Sequence, residues 1–461
     1  MHKLSIMHIA LGGCLRGEPR YGITEDTGGH ITYVLGAARA MAQRDDVGQC
    51  EIVTRMFDAP ELGEIHARER EIVGPGLVIT RIDSGNRRYL GKDELRTDRV
   101  RFREALMDEL RDRSVLPDIV HAHFADAADV AQAIRSEFGI PFIYTPHSLG
   151  LDKIACCSDE APAMRSRLDE ENRAIGTADA IIASSRDECE RQLITYPTAR
   201  PERIHHVRPG IDRHRASPGD IAAAKGLLKP FLRDPSRPIV LAIARPVRKK
   251  NLVSLVHAFG ANETLRKSAD LVILAGLRQS IASGEPEQVA VMHELVDAID
   301  EYDLYGNVAY PKTHDQRTVR GLYALAAASG GVFVNPAAFE PFGLTILEAA
   351  VHGCPVIATN RGGPIDIISE IKHGELIEPT EPDTIARALL KLLIDEKRRD
   401  ECVKNALTRI ERVSWENYAK EFVDIAIRIV RADSLSSISH LPVMKEAHRP
   451  RALERRSNAA M

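Results

Sequence analysis

Short apolar runs alternate with longer helical stretches along most of this chain. Such runs are typical of strands that are buried on both faces, as in parallel sheets covered by helices. In the first half, buried strands are predicted at residues 5–11, 51–54, 119–122, 142–145, 180–183 and 205–207. Helical stretches at residues 30–42, 98–113 and 163–177 lie between them. The alternation predicts an α/β fold with a doubly wound parallel sheet.

The same pattern starts again after Pro209 and Gly210. A second series of strands is predicted at residues 239–244, 271–275, 308–310, 331–334 and 356–359. Two such units predict an N-terminal domain over residues 1–215 and a C-terminal domain over residues 216–414, with the active site in the cleft between them.

The end of the chain departs from this alternation. The last apolar helix, at residues 417–430, has no strand after it and must pack against an element that precedes it in the chain. Residues 433–461 lose the helical periodicity and are rich in arginine. They predict a disordered basic tail, since a sequence without an apolar face has little to bury.

Composition excludes several classes of protein. The 461 residues carry 62 Lys and Arg against 66 Asp and Glu, a formal net charge of −4. A nucleic-acid partner would favour a basic surplus, so none is predicted. The sequence has no run of 18 apolar residues, and no membrane span is predicted. The seven cysteines are odd in number and form no C-x-x-C pair, which predicts reduced thiols and a cytoplasmic protein.

The most specific motif is EPFGLTILE at residues 340–348, just after a predicted strand. If a helix begins at Gly343, its free backbone N–H groups favour a bound phosphate. Glu340 would lie at the carboxyl end of the strand, where open α/β sheets bind ligands. Glu348, in the first turns of the helix, could accept hydrogen bonds from hydroxyl groups. Alternatively, both carboxylates are solvated residues favoured by the helix dipole.

A cluster of cations follows the predicted strand at residues 239–244. Arg245 comes first, and Lys249 and Lys250 follow it. An arginine can bind a diphosphate through two parallel hydrogen bonds, and a lysine acts as a compact point charge. The alternative is a charged surface loop. An anion held between Gly343 and these cations would make one coherent site.

Two motifs of the first half contain possible cleft residues. Gly28 and Gly29, in the segment DTGGH, permit the close backbone approach that a phosphate loop requires. The segment is not G-x-G-x-x-G, which disfavours a dinucleotide-dependent oxidoreductase. His147 and Ser148 follow the predicted strand at residues 142–145. Ser148 lacks the surrounding G-x-S-x-G of a hydrolase nucleophile.

A metal site is considered at His121 and His123. They flank Ala122, with Asp126 nearby, and two histidines in this spacing could ligate an ion. No third ligand occurs at a recognisable spacing. The sequence therefore predicts structural histidines and no metal.

Together these motifs resemble the retaining glycosyltransferases of family 4, and within them the glucosyltransferase domain of sucrose-phosphate synthases. The resemblance runs from about residue 7 to residue 430. It is carried by residues 15–18, 26–29, 147–153, 244–246, 249–251, 302–312, 331–348 and 362–367. It implies the GT-B architecture, in which two Rossmann-like domains face each other and a C-terminal helix, here residues 415–432, crosses back to the first domain.

The resemblance also implies substrates and site residues. The donor would be UDP-glucose, held mainly by the second domain, and the acceptor fructose 6-phosphate, held mainly by the first, with sucrose 6-phosphate as product. The implied catalytic residues are His147, Arg245, Lys250 and Glu340. The implied donor-binding residues are Gly28, Gly29, Arg245, Lys250, Glu340, Phe342, Gly343, Leu344 and Glu348. The implied acceptor-binding residues are His30, Lys92, Ser148, Lys153 and Arg167.

The mechanism implied by the resemblance retains the configuration of the anomeric carbon. The departing β-phosphate would take the proton of the acceptor, with no cofactor and with Mg²⁺ at most as a modulator. His30 stands where the family usually has Gln, which leaves the acceptor open. Because the sequence contains no phosphatase-like domain of the kind some relatives carry, we expect a separate phosphatase to act on the product.

Two alternatives remain at this stage. A related transferase would use another nucleotide-sugar, or would take free fructose or another sugar phosphate as acceptor. A non-catalytic protein that binds sugar nucleotides would keep the fold without turnover.

Overall fold

The computed structural model describes residues 3–20, 23–24, 26–91, 94–151 and 161–438. They contain two β-sheets, one of eight strands and one of six. Within this part of the chain, every helix is too short or too polar to cross a lipid bilayer.

The first sheet is built almost entirely from parallel strands. Its strands are β1 (Leu4–Ile9), β2 (Val47–Arg55), β3 (Arg70–Gly74), β4 (Leu77–Ile82), β5 (Ile119–His123), β6 (Phe142–Thr145), β7 (Ala180–Ala183) and β8 (Ile204–His206). They lie in the order β3-β4-β2-β1-β5-β6-β7-β8, and only the β3–β4 pair is antiparallel among the described pairings. The winding direction therefore switches between β1 and β5, where α/β sheets open a crevice at the carboxyl ends of the strands.

Helices of the first unit pack on both faces of this sheet. They are α1 (Gly29–Ala42), α2 (Leu95–Asp112), α3 (Phe124–Phe138) and α4 (Ala161–Thr177). The buried side of α1 lies on one face of the sheet, and α2 and α3 pack on the other. This two-sided cover explains why the strands read as continuous apolar runs.

All described strand pairs of the second sheet are parallel. Its strands are β9 (Ile239–Ile243), β10 (Asp270–Leu274), β11 (Val308–Ala309), β12 (Val332–Asn335), β13 (Val356–Thr359) and β14 (Gly374–Ile377). They lie in the order β11-β10-β9-β12-β13-β14, so the winding direction switches between β9 and β12.

The helices of the second unit follow the same plan. They are α5 (Pro218–Leu228), α6 (Leu252–Gly260), α7 (Glu263–Ser268), α8 (Pro286–Glu301), α9 (Gln316–Ala328), α10 (Leu344–Val351), α11 (Pro364–Ile371), α12 (Pro382–Ile394) and α13 (Glu396–Arg409). The first of them begins with a capping box, in which the Ser217 hydroxyl accepts from the Asp220 N–H and the Asp220 carboxylate accepts from the Ser217 N–H. These two bonds satisfy helix donors that would otherwise lack partners.

The last helix, α14 (Trp415–Ile438), returns to the first unit. Its buried residues Trp415, Tyr418 and Phe422 belong to the same apolar core as α1, and the Tyr33 hydroxyl donates to the Tyr418 hydroxyl at 3.1 Å. Close approach depends on Gly36, because a Cβ there would lie 2.6 Å from the indole Nε1 of Trp415. The predicted crossing helix is therefore present.

The predicted tail needs a correction at its start. Residues 433–438, predicted to begin a disordered tail, continue α14 as helix. They extend a helix that is already anchored upstream, and propagation costs far less than nucleation. Residues 439–461 lie outside the described residues.

Candidate active site

Two helix N-termini lie close together across the cleft. Helix α1 begins at Gly29 and α10 begins at Leu344. The Leu344 Cδ1 atom lies 3.5 Å from the position that a Cβ on Gly29 would occupy. Both helix starts present backbone N–H groups without intrahelical partners, and both carry the positive end of a helix dipole. The geometry therefore favours an anion between the two units.

Gly343 allows α10 to begin where it does. Its φ of +105° lies in the left-handed region, and a Cβ there would meet Ile346 Cδ1 at 2.9 Å. The preceding loop is held by the Gly363 N–H, which donates to the Glu340 carbonyl at 3.0 Å. Phe342 and Leu344 pack partly buried against the apolar core of the second unit. A helix therefore begins at this motif, with Gly343 as its N-cap.

Lys250 and Glu340 form an ion pair at the switch point of the second sheet. The Lys250 Nζ atom lies 2.6 Å from Glu340 Oε2, and the Asn335 amide donates to the same oxygen at 3.1 Å. Their side chains are 20% and 13% exposed. Burial disfavours ionisation of Glu340, but the Lys250 charge and these hydrogen bonds outweigh it and lower the pKa of the carboxyl. Glu340 is therefore held as a carboxylate.

Arg245 lies on the loop that follows β9, five residues before Lys250. It is half-buried, and its carbonyl accepts from the Val247 N–H at 2.9 Å. Because β9 and β12 are neighbours, the loops that carry Arg245, Lys250 and Glu340 leave the sheet at the same edge. This placement suits the recognition of a diphosphate.

Glu348 lies on α10, more than one turn after its start. The Tyr323 hydroxyl donates to Glu348 Oε2 at 2.9 Å. Burial raises the pKa of Glu348 to about 7, and the hydrogen bond from Tyr323 partly opposes this rise. Its carboxyl can therefore change charge near neutrality while it stays in position to accept hydroxyl groups.

His147 follows β6 in a left-handed backbone conformation, with φ of +58°. Its Nε2 atom lies 2.8 Å from His123 Nδ1, and its ring packs edge-on against Tyr33 with 4.7 Å between ring centroids. Burial, with a smaller contribution from His30, lowers the pKa of His147 well below its usual value. The imidazole is therefore neutral, and it can position a sugar without carrying charge.

His30 lies beside His147 at the first turn of α1. The two rings are 6.5 Å apart between centroids, and the His30 Nε2 atom is 3.4 Å from the Gly12 carbonyl oxygen. Gly28 is the N-cap of the same helix and would have open space around a Cβ. The structure thus brings Gly28, Gly29, His30 and His147 to one edge of the first sheet.

The predicted acceptor cations are placed only in part. The Arg167 guanidinium donates to the Ser148 carbonyl and to Glu171 Oε1, both at 2.7 Å. Arg167 therefore lies beside the His147 loop, but its charge is shared with a carboxylate whose side chain is 3% exposed. Lys92 and Lys153 lie outside the described residues.

His8 is a polar residue of this region that the sequence motifs did not single out. It lies on β1, in register with His121 on the neighbouring strand β5. His8, His121 and His123 are all buried and offer ligand atoms within 4.8 Å of one another. No third ligand stands at a recognisable spacing along the chain, but in three dimensions His8 places a third imidazole beside His121 and His123. The strand order, with β1 beside β5, is the signal that reveals the third histidine.

Further contacts join the two units near α11. The Arg186 N–H donates to Asp366 Oδ2 at 2.7 Å, and Arg208 pairs with Glu370. Asp366 and Glu370 lie on successive turns of one face of α11. These contacts hold the units close on the side of the cleft formed by β7, β8 and α11.

Family models match both units of the chain. Residues 27–215 match the model described as Glycosyltransferase Family 4, and residues 227–409 match the one described as Glycosyl transferases group 1. The chain belongs to the family 4 glycosyltransferases. The predicted family and the predicted GT-B fold are confirmed.

Curated relatives of this glycosyltransferase are described as sucrose-phosphate synthases. A probable sucrose-phosphate synthase 1 of Oryza sativa subsp. indica is 32% identical over 91% of this chain and 46% of its own length. Sucrose-phosphate synthase 4 of Arabidopsis thaliana is 31% identical over 96% of this chain and 49% of its own length. The glycosyltransferase thus spans about half the length of the curated relatives it matches.

Solved structures share the fold. A sucrose-phosphate synthase from Thermosynechococcus elongatus superposes with a TM-score of 0.78 at 22% identity, over 93% of this glycosyltransferase and 100% of the other chain. An Anabaena protein, HepE, solved with UDP and glucose, has a TM-score of 0.63 at 18% identity, over 95% and 100% of the two chains. Both show the same two-domain glycosyltransferase architecture.

Proposed function

We propose that this glycosyltransferase moves glucose from UDP-glucose to fructose 6-phosphate and gives sucrose 6-phosphate, with retention at the anomeric carbon. The observation that carries the proposal is the meeting of two helix N-termini beside the Lys250–Glu340 pair. A nucleotide diphosphate matches the positive character of that site. Similarity to sucrose-phosphate synthases supports the choice of donor and acceptor.

In the proposed complex the diphosphate lies between Gly29 and Gly343. Arg245 and Lys250 neutralise the charge that grows on it as the bond to the sugar breaks. Lys250 already faces Glu340, so an arriving phosphate shares the ammonium group with that carboxylate. Glu340 accepts hydrogen bonds from the sugar hydroxyls, and Glu348 accepts them from the ribose.

The proposed reaction takes place on one face of the sugar. The bond from the anomeric carbon to the β-phosphate oxygen breaks, and a bond from the acceptor oxygen to that carbon forms. The acceptor proton passes to the departing β-phosphate. The neutral His147 orients the sugar near the reacting carbon and needs no proton of its own. This route requires no cofactor, with Mg²⁺ at most as a modulator.

The acceptor is proposed to lie on the first unit, against His30 and the loop that carries His147 and Ser148. Its phosphate would contact Lys92, Lys153 and Arg167, of which the structure describes Arg167 beside that loop. Because His30 replaces the usual Gln, another sugar phosphate or free fructose is the specific alternative. The phosphorylated product would need a separate phosphatase.

The oxidation state of the cysteines supports a proposal for the cellular compartment of the protein. Cys14, Cys50, Cys189, Cys354 and Cys402, the cysteines within the described residues, are free. Free thiols suit a reducing compartment. We therefore propose a cytoplasmic location.

A panel of donors and acceptors tests the proposal. Purified protein is supplied with UDP-, ADP- or GDP-glucose and with fructose 6-phosphate, free fructose or other sugar phosphates, and each product is identified by NMR. Release of UDP with fructose 6-phosphate alone, together with an α-linked glucosyl product, is the expected result. Turnover with a different pair would replace the proposed substrates. Tight binding of UDP-glucose without turnover on any acceptor would refute catalysis.

A further inference from the structure

Three buried histidines meet beneath the candidate active site. His8 lies on β1, and His121 and His123 lie on β5, the neighbouring strand across the switch point of the first sheet. All three have no measurable exposure to solvent. Phe422 of the crossing helix packs against two of them, with its ring centroid 4.5 Å from that of His121 and 6.5 Å from that of His8. Polar side chains in such surroundings need partners.

The nitrogen atoms of these rings have the spacing of metal ligands. His8 Nδ1 lies 3.2 Å from His121 Nδ1 and 3.3 Å from His123 Nε2. In a tetrahedral zinc site with metal–nitrogen bonds of 2.0 to 2.1 Å, ligand nitrogens lie about 3.3 Å apart. The two separations from His8 match that value, and all three rings offer a ligand atom within 4.8 Å of the others.

The outer nitrogens have the partners expected behind metal ligands. His121 Nε2 lies 2.8 Å from the Thr145 hydroxyl, and His123 Nδ1 lies 2.8 Å from His147 Nε2. A histidine that binds metal through one ring nitrogen usually donates from the other to a nearby acceptor. Two of the three rings have a group in place that can accept such a hydrogen bond.

Hydrogen bonding alone leaves this group poorly satisfied. If His121 and His123 donate outward, their inner nitrogens both carry lone pairs, and both face His8 Nδ1. A single proton on that atom would be divided between two acceptors beyond 3.1 Å. If the His8 proton is on Nε2 instead, three lone pairs converge, and Nε2 has no hydrogen-bond partner. A cation at the centre satisfies all three lone pairs.

We propose that His8, His121 and His123 bind one late first-row transition metal ion, with Zn²⁺ as the natural occupant. Three imidazole nitrogens suit zinc, cobalt, nickel or copper, whereas magnesium prefers oxygen ligands. The ion ties β1 to β5, and through His123 it fixes the ring of His147. It takes no part in the bond changes proposed above. The site departs from the sequence prediction of no metal and is independent of the proposed function.

Metal binding is measured on the full chain without an affinity tag. The protein is dialysed against Zn²⁺ or Co²⁺ alone and passed over a desalting column, and bound metal is counted by plasma mass spectrometry. About one ion per chain is expected, and the Co²⁺ form should show visible d–d bands that the metal-free protein lacks.

Variants locate the ion. His8→Leu should lose stoichiometric metal binding. If the leucine variant does not fold, His8→Asn, which keeps a polar group at the site, takes its place and should lose the ion as well. Thr145→Val removes the acceptor behind His121 and should weaken binding about 10- to 100-fold. His66→Leu changes a buried histidine that stacks on Phe57, outside the cluster, and should keep the ion.

Two results would overturn the proposal. One is a wild-type protein that retains neither Zn²⁺ nor Co²⁺ after desalting, which would leave the cluster as a hydrogen-bonded group only. The other is stoichiometric binding that persists with an unchanged Co²⁺ spectrum in both folded His8 variants, because the ion would then lie elsewhere.

Discussion

Replacement of Lys250 by methionine tests the candidate site most directly. The change keeps most of the side-chain volume and removes the ammonium group that lies 2.6 Å from Glu340. By analogy with a lost oxyanion contact, it should cost about 2–4 kcal/mol of transition-state stabilisation. At 1.36 kcal/mol per factor of ten, kcat/KM for the donor should fall about 30- to 900-fold.

Lys250→Met should also lower the free energy of unfolding. Glu340, 13% exposed, would keep its hydrogen bond from Asn335 but lose its ion-pair partner. A mostly buried group that loses a partner costs about 1–3 kcal/mol. In the double variant Lys250→Met/Glu340→Gln the unpaired charge is gone. Its stability should return close to the wild-type value while kcat/KM stays low.

The assays are release of UDP under steady-state conditions and unfolding in urea. Arg248→Met is the matched control, because Arg248 is an exposed cation of the same turn with its own partner, Glu294, at 2.8 Å. It should leave kcat/KM within about threefold of wild type, since exposed ion pairs contribute little. If Lys250→Met matches this control in kcat/KM, the diphosphate assignment is refuted. If the single and double variants are equally stable, the ion-pair argument fails.

Three further predictions follow from the described contacts and the motifs. The pKa of Glu348 is about 7, so its ionised form, the better acceptor for ribose hydroxyls, is lost as the pH falls through that value. The KM for the donor should therefore rise below about pH 7, and Glu348→Gln should abolish this dependence; an equal slope in both proteins would show that another group titrates. Gly36→Val should lower the free energy of unfolding in urea by about 1–3 kcal/mol, because the valine side chain would overlap Trp415. The control is Gly226→Ala in an exposed helical position, where a Cβ has open space around it, and this variant should not be destabilised. Lys153→Ala should raise the KM for fructose 6-phosphate more than it lowers kcat, and an unchanged KM would remove Lys153 from the acceptor site.

Much of the architecture could be read from the sequence because parallel strands are buried on both faces. Strands β6, β7 and β13 begin and end at the predicted residues. The predictions missed β3, β4 and β14. Strand β3 is an edge strand whose Ile72 is 82% exposed, so its sequence shows no continuous apolar run. Strand β14 has only two buried residues among four.

Site residues could be predicted where one segment of the sequence contains both a secondary-structure element and the side chain that this element positions. Residues 331–348 hold a strand end, a carboxylate, a helix start and a second carboxylate, and the structure shows them in that order. Contacts between distant segments were missed. His8 lies beside His121 because β1 and β5 are neighbouring strands, and this cannot be predicted from the spacing of the two residues along the chain. The ion pair between Arg167 and Glu171 could have been predicted from the sequence, since residues four apart on a helix are neighbours.

The return of α14 has a consequence for biosynthesis. Its Trp415, Tyr418 and Phe422 complete the apolar core that α1 shares, so the first unit lacks part of its interior until these residues have been made. About 200 residues separate residue 215 from Trp415, and at 5–20 residues per second a ribosome needs about 10–40 s to produce them. During that interval the face of α1 around Tyr33 and Gly36 is open to solvent or to a chaperone. The N-terminal unit comes first in the chain and yet matures only after the unit that follows it.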